Sequence, residues 1–183
     1  MDKKNLSLTL MLTLVFGLTC TNNLIAATAV AKLYELTSKN SVGTIEFSDN
    51  PKNKGLEIKT SLQLPGVSAG SYGFHIHANP SCEPALKNGK MQPGEAAGGH
   101  LDPSKSNKHL GPYNQKGHLG DLPALVVSED GAAHSTLFAP RLKVSDVLNH
   151  AVMIHAGGDN FSDKPLPMGG GGVRKFCGVI TAN

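Results

Sequence analysis

The sequence of 183 residues has no tryptophan, and aromatic residues make up only 5% of it. It also has no block of like charge, and its 17 basic and 14 acidic residues give a formal net charge of +3. A balance this close to neutral gives no support to a nucleic-acid partner. Glycine (21 residues) and proline (11 residues) are frequent instead, which favours short strands joined by many turns over long helices.

An apolar segment long enough to cross a membrane is also missing. The apolar stretch at 6–19 has 14 residues and is interrupted by serine and threonine, whereas a transmembrane helix needs roughly 20. Two lysines precede this stretch and the small residues "AATA" (26–29) follow it, which is the order of a secretory signal peptide. We therefore predict a signal peptide at 1–29, a mature domain at 30–183, a periplasmic location and no stable membrane anchor.

Cysteine is scarce, with three residues in the chain. Cleavage after Ala29 would remove Cys20 and leave Cys82 and Cys177. An even number of cysteines in an exported protein suggests one disulfide bond, here across a separation of 95 positions. The chain-entropy estimate for a loop of that size is roughly 4 to 5 kcal/mol of stabilisation.

Alternation of apolar and polar residues predicts an all-β domain. In "LEIKTSLQL" (56–64), leucine and isoleucine alternate with charged or polar residues, so one face of a half-buried strand would be apolar. Comparable segments lie at 32–36, 43–48, 72–78, 123–129, 134–140, 150–156 and 176–182. We predict roughly eight strands and no helix, arranged as an antiparallel β-sandwich or flattened barrel. Two long segments without regular structure, 79–122 and 157–173, are predicted to be functional loops.

Histidine is prominent, with eight residues in the chain. The motif "GFHIHANPSC" (73–82) puts His75 and His77 on one face of a strand, roughly 6.5 to 7 Å apart at Cα. Two imidazoles at that separation can bind one metal ion. A His-x-His pair alone also fits a plain surface strand, so this motif needs support from the rest of the chain.

The loop "GGHLDPSKSNKHLGPYNQKGHLGD" (98–121) provides that support. His100, His109 and His118 are spaced nine and nine residues apart, and Asp121 lies three residues beyond the last of them. Three imidazoles and one carboxylate suit a four-coordinate zinc ion. The ion would order a loop that has no apolar core of its own, whereas the alternative is a polar loop that carries histidine for solubility.

Three further histidines lie outside that loop. His155 ends the apolar segment "VMI" in "VMIHAGGDN" (152–160), where a strand would hold a ligand rigidly. His134 and His150 have no such context, and we interpret both as solvated or hydrogen-bonded residues.

Six motifs occur in order along the chain: "GFHIHANPSC", "AAGGHLDP", "KHLGPY", "GHLGDLP", "MIHAGGDN" and "RKFCGVI". Together they resemble the copper–zinc superoxide dismutases of the bacterial exported type, over essentially the whole mature chain. The resemblance implies an eight-stranded antiparallel Greek-key β-barrel with a sandwich cross-section. It also implies copper and zinc as cofactors and superoxide as substrate, which a Cu(II)/Cu(I) cycle would convert to O₂ and hydrogen peroxide.

The resemblance also implies a role for individual residues. The copper ligands would be His75, His77, His100 and His155. The zinc ligands would be His100, His109, His118 and Asp121, so that a catalytic His100 would bridge the two metals. The remaining implied roles are a disulfide between Cys82 and Cys177, an anion-holding catalytic Arg174 beside copper, and a carboxylate, Asp159, that links ligands of the two metals.

Three other functions are compatible with parts of this pattern. A non-catalytic protein of the same fold could bind copper and zinc without turnover. A zinc-only protein would use the 98–121 loop and leave His75 and His77 structural, and a mononuclear zinc hydrolase would need a general base beside the metal that the motifs do not provide. The motifs leave a homodimer open, because related bacterial proteins use more than one dimer arrangement, or none.

Overall fold

Short antiparallel strands account for most of the regular structure. The computed structural model describes residues 27–183, which form eleven strands and one short helix. The strands are β1 (Thr28–Glu35), β2 (Ser41–Asn50), β3 (Gly55–Gln63), β4 (Gly70–Tyr72), β5 (Phe74–His77), β6 (Ala85–Lys87), β7 (Lys90–Gln92), β8 (Leu125–Val127), β9 (Ala132–Ala139), β10 (Ala151–His155) and β11 (Arg174–Ala182). Helix α1 (Val144–Val147) is a single turn, and 3₁₀ turns lie at Glu95–Ala97 and Met168–Gly170.

Seven strands form one curled sheet in the order β5-β10-β11-β1-β2-β3-β9. All of its pairings are antiparallel, and a separate two-stranded ribbon joins β4 to β8. Strands that are far apart in sequence pair with each other, as β1 does with β11 and β3 with β9, which is a Greek-key arrangement. The predicted all-β antiparallel class is confirmed, although the count of eleven strands exceeds the predicted eight.

The alternation in β3 corresponds to one buried face. Leu56, Ile58 and Leu62 are fully buried, and the polar residues between them lie at intermediate or exposed positions. Burying each such side chain stabilises the fold by about 1.5 to 3 kcal/mol. Thr60 is the polar exception on the buried face, and its hydroxyl donates to the carbonyl oxygen of Ala133 over 2.9 Å.

The predicted loop at 79–122 contains more regular structure than expected. Strands β6 and β7 form a hairpin within it, joined by Asn88 and Gly89 with φ angles of 51° and 74°. Asn-Gly is the pair that most favours a two-residue turn with both φ angles positive, so this dipeptide could have indicated the hairpin. The prediction of no helix was also wrong in one place, because α1 forms a single helical turn. The backbone N–H of Val144 at its start donates to the Asp49 carboxylate, which caps the turn.

Most of the predicted signal peptide lies outside the described residues. Its last two residues, Thr28 and Ala29, are in β1, where Ala29 is buried and pairs with Phe47 of β2 and Ala182 of β11. Cleavage after Ala29 would therefore remove the first two residues of this strand, and the cleavage site stays a prediction. Among residues 27–183, no helix is long and apolar enough to span a bilayer.

A disulfide bond joins Cys82 to Cys177 of β11, with a Cα–Cα distance of 5.7 Å. It ties the segment after β5 to the central part of the large sheet. The predicted pairing is therefore present in the structure, and it brings the segment 79–98 close to Arg174 at the start of the same strand.

Candidate metal centre

Strand β5 lies at one edge of the large sheet and carries His75 and His77 on the face opposite to Ile76. It pairs with β10 on one side, which leaves the backbone groups of its other edge without a strand partner. The long loop takes that place: Ile76 N–H donates to the Gly120 carbonyl over 2.9 Å, and Leu101 N–H donates to the Ile76 carbonyl over 2.8 Å.

This pairing brings the loop histidines to the strand histidines. His77 lies opposite His100 and His75 lies opposite Asp121, each as an isolated bridge. A side chain at Gly120 would not fit, because its Cβ would lie 2.3 Å from the Ile76 carbonyl oxygen. The close approach therefore depends on glycine between His118 and Asp121.

The first of two donor sets consists of four buried imidazoles. Each offers a nitrogen that lies within 4.8 Å of the others, and no member is more than 7% exposed. His155 comes from the end of β10, beside β5, and the ring centroids of His75 and His155 are 4.9 Å apart. The members of this first set are His75, His77, His100 and His155.

The second donor set meets around one carboxylate oxygen. Asp121 Oδ1 lies 3.0 Å from Nδ1 of His100, 3.0 Å from Nδ1 of His109 and 3.3 Å from Nδ1 of His118. The other oxygen, Oδ2, accepts the backbone N–H groups of Leu110 and Gly111, which fixes the orientation of the carboxylate. The members of this second set are His100, His109, His118 and Asp121, so the two sets share His100.

Asp159 connects the two sets through their other nitrogens. Its Oδ2 lies 2.7 Å from Nε2 of His75 in the first set, and its Oδ1 lies 2.7 Å from Nε2 of His109 in the second. Gly169, at φ +71°, packs so closely that a Cβ there would lie 2.0 Å from Oδ1 of this carboxylate. The glycine run at 169–172 thus allows the segment to pack against the cluster.

The histidines that belong to the first set alone have lowered pKa values because they are buried. Burial is the main cause that lowers the pKa values of His75 and His77, with repulsion from His100 as the next cause. Burial also lowers the pKa of His155, to about 4. These imidazoles are therefore neutral at pH 7, which is the form that binds a metal.

His109 differs from those three histidines. Burial alone would lower its pKa, but hydrogen bonds to Asp121 and Asp159 outweigh burial and raise the pKa to about 9. The carboxylates respond in the opposite direction. Burial would raise the pKa of Asp121, yet its hydrogen bonds with His100 and His109, together with the nearby His118 ring, hold that pKa far below its usual value. Without metal, His109 in the second set is therefore protonated on both ring nitrogens and positively charged at pH 7.

Several ring nitrogens in the cluster have no protein partner. The buried atoms His75 Nδ1, His77 Nε2, His118 Nδ1 and His155 Nε2 lack a hydrogen bond among the described residues. Buried polar atoms are rarely left without a partner in folded proteins. Three of these atoms belong to the first set, where their convergence is what a metal ion would require, and the fourth, His118 Nδ1, belongs to the second set.

An open cavity of about 310 Å³ reaches the first set from solvent. His77, His100 and His155 line it together with Arg174 and Lys87. The Arg174 guanidinium donates to the carbonyl oxygens of Gly94 and Gly98, over 2.6 Å in both cases, so it is held beside the histidines. A small anion that enters the cavity would meet this cation and the shared His100.

Residues 41–180 match the family model described as copper/zinc superoxide dismutase (SODC). The chain belongs to the copper/zinc superoxide dismutase family. The family predicted from the six motifs is therefore confirmed. A curated relative, Cu-Zn superoxide dismutase 1 of Salmonella typhimurium, is 52% identical over 140 residues, which are 76% of this chain and 77% of the relative.

Solved structures of the family agree with the fold described above. The Cu/Zn superoxide dismutase from Brucella abortus has a TM-score of 0.78 at 44% identity, covering 83% of this chain and 98% of that one. The monomeric copper, zinc superoxide dismutase from Salmonella enterica has a TM-score of 0.72 at 47% identity, covering 85% and 100% respectively.

The structure brings every predicted metal ligand of this family member into one cluster, with Asp159 and Arg174 against it. His134 and His150 lie outside both sets: His134 is exposed in β9, and Nδ1 of His150 lies 2.8 Å from the Ala78 carbonyl oxygen. Sequence reasoning missed the backbone pairing of Ile76 with Leu101 and Gly120. Only the small residue between His118 and Asp121 hinted at that close approach.

Proposed function

We propose that this family member converts superoxide to O₂ and hydrogen peroxide at a copper ion held by the first set, with zinc held by the second. The observation that supports this most directly is the sharing of His100 between two buried donor sets. One imidazole has two nitrogens and can serve two ions, and its Nδ1 already faces Asp121 of the second set. The alternative, a non-catalytic copper- and zinc-binding protein of the same fold, gives no functional reason for Arg174 to line the open cavity.

The residues fit the metals that the family implies. Four imidazoles suit copper, which accepts nitrogen ligands, and three imidazoles with one carboxylate suit zinc. The unpartnered nitrogens of His75, His77 and His155 would bind copper. Asp159 would act outside the ligand shells, because its oxygens are engaged with the second nitrogens of His75 and His109 and so fix both rings.

Bound copper would supply a one-electron couple that oxidises one superoxide to O₂ and reduces a second to hydrogen peroxide, which requires two protons. Arg174 would attract the anion and hold it in the cavity, since its guanidinium is charged at all relevant pH values. Because Nδ1 of His100 faces Asp121, its Nε2 is the nitrogen left for the first set, and when copper does not occupy it this nitrogen would hold a proton for the reduced oxygen.

Metal analysis combined with a superoxide assay tests this function. The mature protein, loaded with both metals, is expected to retain one copper and one zinc per chain and to consume superoxide catalytically. A copper–nitrogen pattern in electron paramagnetic resonance would identify the first set. Stoichiometric metal without superoxide consumption would instead establish the non-catalytic alternative.

Arg174 offers a control on the catalytic part of the proposal. Arg174→Ala is expected to slow superoxide consumption roughly tenfold, because the cavity loses its anion-holding charge, while both metals stay bound. Lys175→Ala removes the same charge from the next residue, whose ammonium binds the Gly66 carbonyl instead, and should change the rate little. Equal rates in the two variants would exclude the anion-holding role.

The protonation of His109 predicts a pH dependence of zinc binding in the metal-free protein. Since its pKa is raised from 6.5 to about 9, the bound proton stabilises the folded state, fully below pH 6.5 and progressively less as pH rises through 9. Zinc must displace that proton, so zinc affinity should rise about tenfold per pH unit between about pH 6.5 and 9 and then level off.

Copper provides the internal comparison for this measurement. The imidazoles of the first set have lowered pKa values and are already neutral, so copper affinity of the zinc-free protein should change much less over the same range. Competition with a chelator of known pH dependence gives both affinities. A zinc affinity that is flat from pH 6.5 to 9 would contradict the assignment of His109 as the protonated ligand.

We also propose that the protein acts in the periplasm after removal of the predicted signal peptide. The disulfide between Cys82 and Cys177 supports an oxidising compartment. The curated relative from Salmonella typhimurium is bacterial, and the solved relative from Salmonella enterica is named monomeric. A homodimer stays a prediction for this chain.

A further inference from the structure

Arg141 lies outside both donor sets but binds the loop that carries the second one. It lies two residues after the end of β9 and precedes Leu142, which is buried and only 1% exposed. Its guanidinium donates to three backbone carbonyl oxygens across more than twenty residues of sequence. The acceptors are those of Asn114, Gly117 (3.2 Å) and His118 (2.5 Å).

These acceptors belong to a part of the loop that makes few backbone hydrogen bonds of its own. Between residues 102 and 120, no strand or helix is present, and few backbone hydrogen bonds lie within this range, among them His118 N–H to the Lys108 carbonyl over 2.9 Å. Gly117 and His118 are nevertheless buried. Buried carbonyl groups need donors, and Arg141 supplies them to both residues.

A guanidinium suits this position better than other side chains. Its five donors point outward in one rigid plane, so one group can satisfy several carbonyl oxygens at the same time. It also stays charged at every pH of interest, and the carboxylates of Asp121 and Asp102 attract it. A lysine ammonium has three donors on a flexible stem and would hold the same carbonyl groups less firmly.

The backbone held by Arg141 includes that of a proposed zinc ligand. The His118 carbonyl accepts from the guanidinium, while Nδ1 of the same residue lies 3.3 Å from Asp121 Oδ1. Gly117 fits tightly as well, since a Cβ there would lie 2.9 Å from the Leu110 Cβ. The barrel thus fixes where the His118 ring enters the second set.

We propose that Arg141 is a positioning residue for the zinc set, which orients His118 by binding the carbonyl groups of Asn114, Gly117 and His118. This inference rests on the proposed function, because it requires that the second set binds zinc. Arg141 touches neither the substrate cavity nor the donor atoms. Its loss should therefore act on zinc rather than on the chemistry of superoxide.

The test compares zinc release from the metal-loaded protein in four forms. Arg141→Gln is expected to weaken zinc binding about 10- to 100-fold, the range found when residues that orient metal ligands are removed. Arg141→Lys should lie between this variant and the natural sequence. Lys143→Gln removes the same charge from an exposed residue two positions further on, and it should release zinc as the natural sequence does.

Cobalt(II) in the zinc set gives a readout that a purely structural role would not change. Its visible absorption bands depend on coordination geometry, so Arg141→Gln should shift them while far-ultraviolet circular dichroism and copper release stay nearly unchanged. An unchanged cobalt spectrum and natural zinc release in a folded Arg141→Gln protein would overturn the inference. If Arg141→Gln does not fold, Arg141→Lys decides by the same two measurements.

Failure of the proposed function gives a different result. If the natural sequence itself binds neither zinc nor cobalt with one ion per chain, the assignment of the second set is wrong, and the role of Arg141 falls with it. If the natural sequence binds zinc normally, the variants test Arg141 alone.

Discussion

Replacement of His155 by alanine is expected to abolish copper binding and superoxide consumption while the barrel stays folded. The proposed copper set then keeps three of its four imidazoles and loses the one that β10 holds rigidly. The fold should tolerate the change, because β10 keeps its backbone pairing and its buried Ile154 and Val152. Copper content, electron paramagnetic resonance and a superoxide assay on the same sample measure the effect.

The matched control is His134→Ala, since His134 is an exposed histidine on β9 outside both donor sets. This variant should keep the natural copper content and rate. Zinc content separates two explanations for His155→Ala: retained zinc locates the damage in the copper set, whereas loss of both metals would mean that the sets are not independent. A fully active His155→Ala protein would refute the copper assignment.

Some of the features that the sequence predicts correctly have local causes. The alternation in β3 follows from the two-residue period of a strand and requires no knowledge of its partners. His75 and His77 share a face for the same reason. The fold class, the family and the disulfide are confirmed, while the roles of individual ligands stay predictions that the geometry supports.

The features that the sequence does not predict depend on partners far along the chain. In the sequence, nothing distinguishes Arg141 from an ordinary surface arginine. Its contacts with the carbonyl groups of residues 114–118 are visible only in the structure. The pairing of Ile76 with Leu101 and Gly120 closes an open sheet edge, and no local pattern encodes that contact. Asn88-Gly89 is different, because its turn preference is local and could have predicted the β6–β7 hairpin.

Removal of the disulfide is expected to destabilise the protein and to impair the site through Arg174. A double variant, Cys82→Ala with Cys177→Ala, should lower the free energy of unfolding by about 2 to 5 kcal/mol, since the unfolded chain is no longer constrained across 95 positions. The bond also holds the segment that provides the carbonyl groups of Gly94 and Gly98. Both accept from the Arg174 guanidinium, and Gly98 also lies 2.9 Å from Nδ1 of His77.

Because these contacts orient a copper ligand and the proposed anion-holding cation, the double variant should also consume superoxide more slowly and lose copper to a chelator faster than the natural sequence. Urea unfolding measures the stability, and the assay is run below the unfolding transition so that only folded protein contributes. Reduction of the disulfide before metal loading, with the reductant then removed, should reproduce these effects in the natural sequence, and the same treatment should change nothing further in the double variant. Natural rates and metal retention in a destabilised but folded double variant would show that Arg174 and His77 keep their positions without the disulfide.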